Sequence, residues 1–439
     1  MQNISFKSFI IVSLTLFSMF FGAGNFIFPP SLGFQAGVNT SVAIIAFCLT
    51  AVLFPILGIA AVAKSNGLQN LASRVSYKFA LVFIIAMLLI IGPLFAMPRA
   101  ANMPYELAIK PFLGEFTSFL PLFIYSVVYF IINWALSINS TKMVDMLGKF
   151  LTPLLLLLIV VLVLAAIINP MHTGEFAAAS GEWANHAVSK GVVEGYQTMD
   201  ALAALNFGLV VLITFRKLGV NDEKSIVKYT ILSGFVAGFI LMTIYIALSY
   251  VGASIGASGL ISEVNPNGAT ILSAATNALF GRFGIVILGV SVFLACLTTT
   301  VGLTCAISEY FVSITKIPYK TWIIIVSVFA SIVANLGLSA IISYAVPFLF
   351  IIYPIALCLI VLSLLDDIVN GDRFTYVLTV GVVFVISLVR TFDTQFDINF
   401  PIVTELFKTY LPFYDGGFEW VIPAVVCAVI GSIRASTKR

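Results

Sequence analysis

Three short stretches place polar groups inside apolar runs, where water cannot satisfy them. The first is Phe20-Phe21-Gly22-Ala23-Gly24-Asn25-Phe26-Ile27-Phe28-Pro29-Pro30, within an apolar run from Phe9 to near Phe34. Glycine costs a helix interior about 1 kcal/mol relative to alanine, asparagine is a poor interior residue, and proline removes backbone donors. A helix broken there ends one half in free carbonyls and starts the next in free amides, which can hold a cation and a carboxylate. The plainer alternative is close helix packing through small residues. The second stretch, Gly195 to Gly208, contains Asp200. An intramembrane carboxylate faces a cavity or a partner because exposure to lipid is costly. Asp200 either caps a helix near the outer interface or takes an ammonium, a coupling ion or a proton. Asn206 is placed to satisfy unwound backbone. The third is Ala295-Cys296-Leu297-Thr298-Thr299-Thr300. Its hydroxyls either bond back to their own helix or join backbone carbonyls around a dehydrated hard cation.

The elements that position these groups follow from composition. The 439-residue chain is 61% hydrophobic and 9% charged. Soluble domains carry about 25% charged residues, so lipid is the solvent here. No clustered basic face marks nucleic-acid binding, and no phosphate loop with its lysine marks ATP use. Cys48, Cys296, Cys305, Cys358 and Cys427 sit in or beside apolar runs without metal-ligand spacing. His172 and His186 are read as solvated residues of one polar loop, with proton coupling as the alternative. Nothing points to an enzyme, a cofactor or an obligate protein partner.

A spanning helix needs about 20 apolar residues. The pattern predicts an all-α integral membrane protein with about twelve spans. They lie near 9–34, 41–63, 78–98, 117–138, 149–168, 195–215, 229–250, 281–309, 321–338, 339–364, 374–391 and 418–434. The third continues weakly past Arg99 towards Ile109. The first run is too long for a signal-peptide core, so it is read as a span. Sixteen lysines and arginines, Lys142, Lys149, Lys438 and Arg439 among them, fall on one side against six on the other. Both termini are therefore expected in the cytoplasm. Loops 99–116, 169–194, 251–280 and 392–417 fall outside, as caps or gates. The interruptions in spans one and six each open a block of five, the pattern of an inverted repeat. Residues 1–170 and 171–364 would be the two repeats, and 365–439 two additional helices. Arg99 reads as an interface arginine or an outer gate, and neither it nor Glu309 is given a part in the site.

Four segments resemble the BrnQ, or LIVCS, family of branched-chain amino acid:cation symporters. They are Phe21 to Pro30, Ile91-Gly92-Pro93-Leu94-Phe95-Ala96-Met97-Pro98-Arg99, Gly195 to Ala203, and Leu297-Thr298-Thr299-Thr300-Val301-Gly302-Leu303. The resemblance implies the LeuT-type fold of five-plus-five inverted repeats, with helices 1 and 6 broken. It implies uptake of leucine, isoleucine and valine into a bacterial cell by alternating access in the cytoplasmic membrane. It also places an ion between spans one and eight, on the carbonyls of Ser18, Phe21 and Ala295 and the hydroxyls of Thr298 and Thr299. The substrate carboxylate would meet the amides of Ala23, Gly24 and Asn25. Its ammonium would meet carbonyls in the two breaks, with Thr198, Asp200 and Ala201 in the second. Neutral oxygens on span eight favour Na+ as coupling ion, whereas Asp200 keeps H+ open. Transport of other neutral amino acids, a passive channel and a non-transporting nutrient sensor are the competing expectations.

Overall fold

The computed structural model describes residues 4–113, 119–138, 152–172, 174–369, 371–396, 398, 400–414 and 416–437. Lys142, Asp145, Lys149, Lys438 and Arg439 lie outside them. The first span is two helices, α1 (Phe6–Phe20) and α2 (Ala23–Ala36). Phe21 and Gly22 between them are extended, at φ −75°, ψ 91° and φ −126°, ψ −158°. Any residue can adopt these angles, so space rather than conformation selects glycine here. A Cβ on Gly22 would lie 3.2 Å from Thr299 Oγ1. Pro29 and Pro30 do not shorten the second half, because α2 runs through both to Ala36.

The next elements each carry a wide turn. α3 (Thr40–Cys48) joins α4 (Phe54–Lys64) through a π-turn at Leu49–Leu53. After α5 (Leu68–Ser73), α6 (Tyr77–Leu89) joins α7 (Ala96–Ala108) through a second π-turn at Ile90–Leu94, with Gly92 non-helical. The third span thus continues past Arg99 as expected, but it is interrupted as well. α8 (Lys110–Leu113), α9 (Phe119–Ser137) and α10 (Thr152–Ile168) follow.

The sixth span is α11 (Ala187–Tyr196) and α12 (Asp200–Lys217), bent by 42° across Gln197-Thr198-Met199. The first of these halves begins eight residues before the span expected at 195–215, inside the expected loop 169–194. α13 (Glu223–Ser258) and α14 (Gly268–Ile314) are longer than expected and convert most of loop 251–280 into helix. Asn267 caps α14 by accepting from the Thr270 amide at 3.0 Å. The chain ends with α15 (Tyr319–Ala334), α16 (Leu338–Leu364), α17 (Asp366–Val369), α18 (Arg373–Gln395), α19 (Pro401–Tyr410) and α20 (Val421–Thr437). α19 lies within the expected loop 392–417.

Seven helical stretches among the described residues are long and apolar enough to cross a membrane, or eight if the bent pair is one span. Phe6–Phe20, Thr152–Ile168, Tyr319–Ala334 and Val421–Thr437 are apolar but shorter. Length and apolarity therefore establish a multi-pass membrane protein without fixing the number at twelve. His172 departs from its solvated reading: it is half-buried, 2.8 Å from Ser254 Oγ and against the Phe176 ring. His186 is exposed.

Backbone-to-backbone packing holds α2 against α13. A Cβ on Gly33 would stand 2.8 Å from the Ser249 carbonyl carbon, and one on Gly252 would stand 2.7 Å from that of Pro30. The obstacles are main chain, so no side-chain rotation relieves them. Gly33→Ala and Gly252→Ala should each destabilise the protein by about 1–3 kcal/mol, as overpacking does. The check is loss of monodisperse protein on heating in detergent, and unchanged melting would refute the tight α2–α13 contact.

Candidate substrate and ion site

The two broken spans meet at one buried network. Asn25, in the first turn of α2, uses its side chain three ways. Its Oδ1 accepts from the Gly22 amide at 2.8 Å, satisfying the backbone donor just ahead of α2. Its Nδ2 donates to Asp200 Oδ2 at 3.0 Å and to the Tyr245 hydroxyl of α13. Tyr245 in turn donates to the same Asp200 oxygen at 2.7 Å. Asp200 is 2% exposed and opens α12, where the positive end of the helix dipole suits a carboxylate. It is thus at a helix start, as the capping alternative supposed, but Met199 is the cap residue and the Asp200 side chain reaches across to the first span.

The freed backbone of the second break is taken up by side chains from other spans. Arg99 of α7 is 3% exposed. Its Nη1 donates to the Gln197 carbonyl at 2.6 Å and its Nη2 reaches the Thr198 carbonyl at 3.4 Å. The guanidinium lies over the Phe28 ring of α2, 5.2 Å from its centroid. The Thr198 hydroxyl donates to the Gly195 carbonyl at 2.9 Å, and the Asp200 amide donates to that hydroxyl at 3.3 Å. The Ala201 amide donates to the Tyr353 hydroxyl of α16 at 3.2 Å, and Tyr353 stacks on Tyr196 at 4.5 Å. Met199 sits left-handed at φ 64° to make the corner. A non-glycine residue there marks a constrained turn.

A small cavity lies between the breaks, lined by Gly22, Ala23, Gly24, Asn25, Arg99, Thr198, Asp200 and Thr299 with apolar neighbours such as Phe20 and Phe207. It leaves about 30 Å³ open to a water-sized sphere, so it must widen to take an amino acid. Of the expected substrate residues, Ala23, Gly24, Asn25, Thr198 and Asp200 line it. Ala201 does not: it is held behind the break, between Tyr353 and Gly58. Asn206 lies within α12, not on unwound backbone, and its Nδ2 has no partner among the described residues.

The expected ion ligands also converge. Thr299 Oγ1 lies 3.5 Å from the Ser18 carbonyl oxygen, 3.3 Å from that of Phe21 and 3.3 Å from that of Ala295. Thr298 Oγ1 donates to the Ala295 carbonyl at 2.7 Å. Thr299 Oγ1 thus stands 3.3–3.5 Å from carbonyl oxygens of the first span and of α14. Ser18, Ala295 and Thr298 border a narrow cleft beside α10, whereas Thr299 turns to the central cavity. Sequence reading missed Arg99, Tyr245 and Tyr353. The proline before Arg99 resembled a span end, and a tyrosine in an apolar run looks like core.

Two broken spans meeting at a central cavity in an all-helical membrane protein define a transporter of the LeuT-type fold. Solved structures bear out that fold. The chain is similar to Mhp1, a nucleobase-cation-symport-1 family transporter, with TM-score 0.63 and 15% identity, covering 98% of this chain and 92% of that one. It is also similar to MhsT in complex with L-phenylalanine, with TM-score 0.57 and 17% identity, covering 99% of both. The model of the branched-chain amino acid transport protein family matches residues 5–438, and the chain belongs to that family. It is 38% identical over 436 residues to the branched-chain amino acid permease BrnQ of Bacillus subtilis (strain 168), covering 98% of each. With the permease BraB of the same strain the identity is 38% over 435 residues, covering 98% of this chain and 96% of that one. The protein is a membrane transporter and not an enzyme.

Asn25→Ala strips partners from the Gly22 amide and from Asp200. Each buried group left unpaired costs about 1–3 kcal/mol. The variant should melt several degrees lower in detergent, and Tyr245→Phe should lose less because Asn25 still donates to Asp200. Equal melting of Asn25→Ala and the parent would show that this network does not hold the breaks together.

Proposed function

We propose that this protein imports leucine, isoleucine and valine by symport with a cation, Na+ in preference to H+, through alternating access. The single observation carrying the coupling is the set of oxygens around Thr299, drawn from both sides of the α1–α14 contact. The names of the permease relatives support the substrate class. The carboxylate would sit at the start of α2 on the amides of Ala23, Gly24 and Asn25, taking the place of the 3.2 Å bond that the Asn25 amide makes to the Gly22 carbonyl. The ammonium would meet Asp200 and carbonyls of the breaks. Cation binding would draw Ser18, Phe21, Ala295, Thr298 and Thr299 together and favour the state in which the substrate pocket is formed.

Residues 1–170 and 171–364 would act as inverted halves that rock about this centre, with 365–439 outside the repeat. The excess of basic residues on one side supports a bacterial cytoplasmic membrane location with both termini inside. Proton coupling is the second reading, favoured by one observation: Asp200 is a buried ionisable group in contact with both broken spans. Transport of other neutral amino acids differs only in the pocket walls.

Labelled leucine uptake by reconstituted protein tests these statements. An imposed Na+ gradient should drive accumulation, and a pH gradient alone should not. Thr299→Ala should raise the half-saturating Na+ concentration about tenfold or more, equivalent to about 1.4 kcal/mol of lost ion binding. Uptake indifferent to both gradients would refute coupling. Absence of trans-acceleration in counterflow would indicate a passive channel, and binding without flux a sensor.

A further inference from the structure

Arg99 is a buried cation with no ion pair among the described residues. Its two hydrogen bonds go to neutral carbonyls, Gln197 O and Thr198 O, and its buried Nε–H has no acceptor among the described residues. Guanidinium carries five donors in a planar fork matched to a carboxylate. A charge in this setting is stable only when something compensates it, and carbonyl dipoles with one aromatic face do so in part.

Its position is as informative as the absence of a carboxylate in direct contact with it, since Asp200 lies in the same cavity but bonds to Asn25 and Tyr245. Arg99 lines the central cavity with Ala23, Gly24, Thr198 and Asp200. A Cβ on Gly24 would stand 2.8 Å from Arg99 Nη2, so the glycine lets the guanidinium settle against the first turn of α2. One cavity therefore presents a fixed cation beside helix-start amides, together with a carboxylate that faces Asn25 and Tyr245. Charge of both signs within one small apolar-walled space matches a zwitterion.

We propose that Arg99 is the anchor for the substrate's α-carboxylate, so that the protein selects free amino acids over their neutral C-terminal derivatives. The inference rests on the proposed amino-acid transport and deepens it, because the helix-start amides alone would accept a carboxylate or a neutral carbonyl oxygen with less discrimination. Arg99 has a second task in holding the Gln197 and Thr198 carbonyls. Substrate binding would thereby pull on the corner of the sixth span through one side chain.

The test compares leucine with leucinamide as inhibitors of labelled leucine uptake in proteoliposomes. In the parent protein, leucinamide should compete at least a hundredfold more weakly. In Arg99→Gln, leucine should lose affinity by at least tenfold while the leucine-to-leucinamide ratio falls towards one. Arg99→Lys, which keeps the charge and loses the fork, should raise KM with Vmax largely kept and preserve most of the ratio. A ratio unchanged in Arg99→Gln would overturn the proposal, as would a ratio in Arg99→Lys that falls as far as in Arg99→Gln. Should neither variant give folded protein, isocaproate and isoamylamine decide on the parent: better competition by the amine than by the acid overturns the assignment. If the parent transports a different neutral amino acid, the same ratio is taken with that amino acid and its amide, so an error in substrate class does not conceal the role of Arg99.

Discussion

A chain that unwinds within hydrocarbon exposes peptide groups that have no water to turn to, and each must be satisfied by other protein. That constraint explains the residues assembled at the centre of this molecule. The Gly22 amide is met by Asn25, the Gly195 carbonyl by the Thr198 hydroxyl, the Gln197 and Thr198 carbonyls by Arg99, and the Ala201 amide by Tyr353. The satisfying side chains come from α2, α7 and α16 as well as from the breaks themselves. The price of two interrupted helices is therefore shared by three helices from distant parts of the sequence. An α-helix with all its bonds internal would need none of these partners, and would offer a solute nothing to bind.

The same partners decide which parts can move together. Asp200 is bonded from α2 and α13, so the two breaks and the helix packed on α2 share one carboxylate. α13 is also pressed on α2 through Gly33 and Gly252 at main-chain distance. These elements form one unit. The α1–α14 contact is of another kind: its oxygens stand 3.3–3.5 Å apart, long for hydrogen bonds and weakly bonded as they are. Weak bonds of this kind are readily replaced by a ligand, while the outer end of α14 is pressed on α2 where Gly268 meets Ile27.

Much of the site was legible because helix physics makes the relevant residues conspicuous. Glycines and an asparagine at 22–25, a carboxylate at 200 and paired hydroxyls at 298 and 299 all violate an apolar pattern, and the structure gathers them within one central region. What stayed hidden violates nothing. Tyr245 and Tyr353 pass as core aromatics until their hydroxyls are seen on Asp200 and Ala201. α11 was concealed because Ser189, Lys190 and Glu194 dilute its apolarity. Its place is set by tertiary contacts such as the Thr50 hydroxyl donating to the Val192 carbonyl at 2.7 Å. α13 and α14 ran longer than hydropathy implied for a related reason: their outer ends are buried against α2, where Gly268 meets Ile27, rather than against lipid. Cap residues carried the missing signal, since Asn267 marks the start of α14.

On the proposed function, coupling needs no long pathway. The carbonyl of Phe21 and the amide of Gly22 belong to a single planar peptide group, which cannot turn one end without the other. The carbonyl faces Thr299, among the oxygens suited to the cation. The amide is held by Asn25, whose other end grips Asp200 beside the substrate cavity. A cation that fixes the Phe21 oxygen thereby fixes the orientation of the first amide of the α2 cap and, through Asn25, the carboxylate of the other broken span. Losing the cation would free that peptide to rotate and release Asn25 from its geometry. Ion and substrate would then act on opposite ends of the same bond network, separated by one peptide group and one side chain.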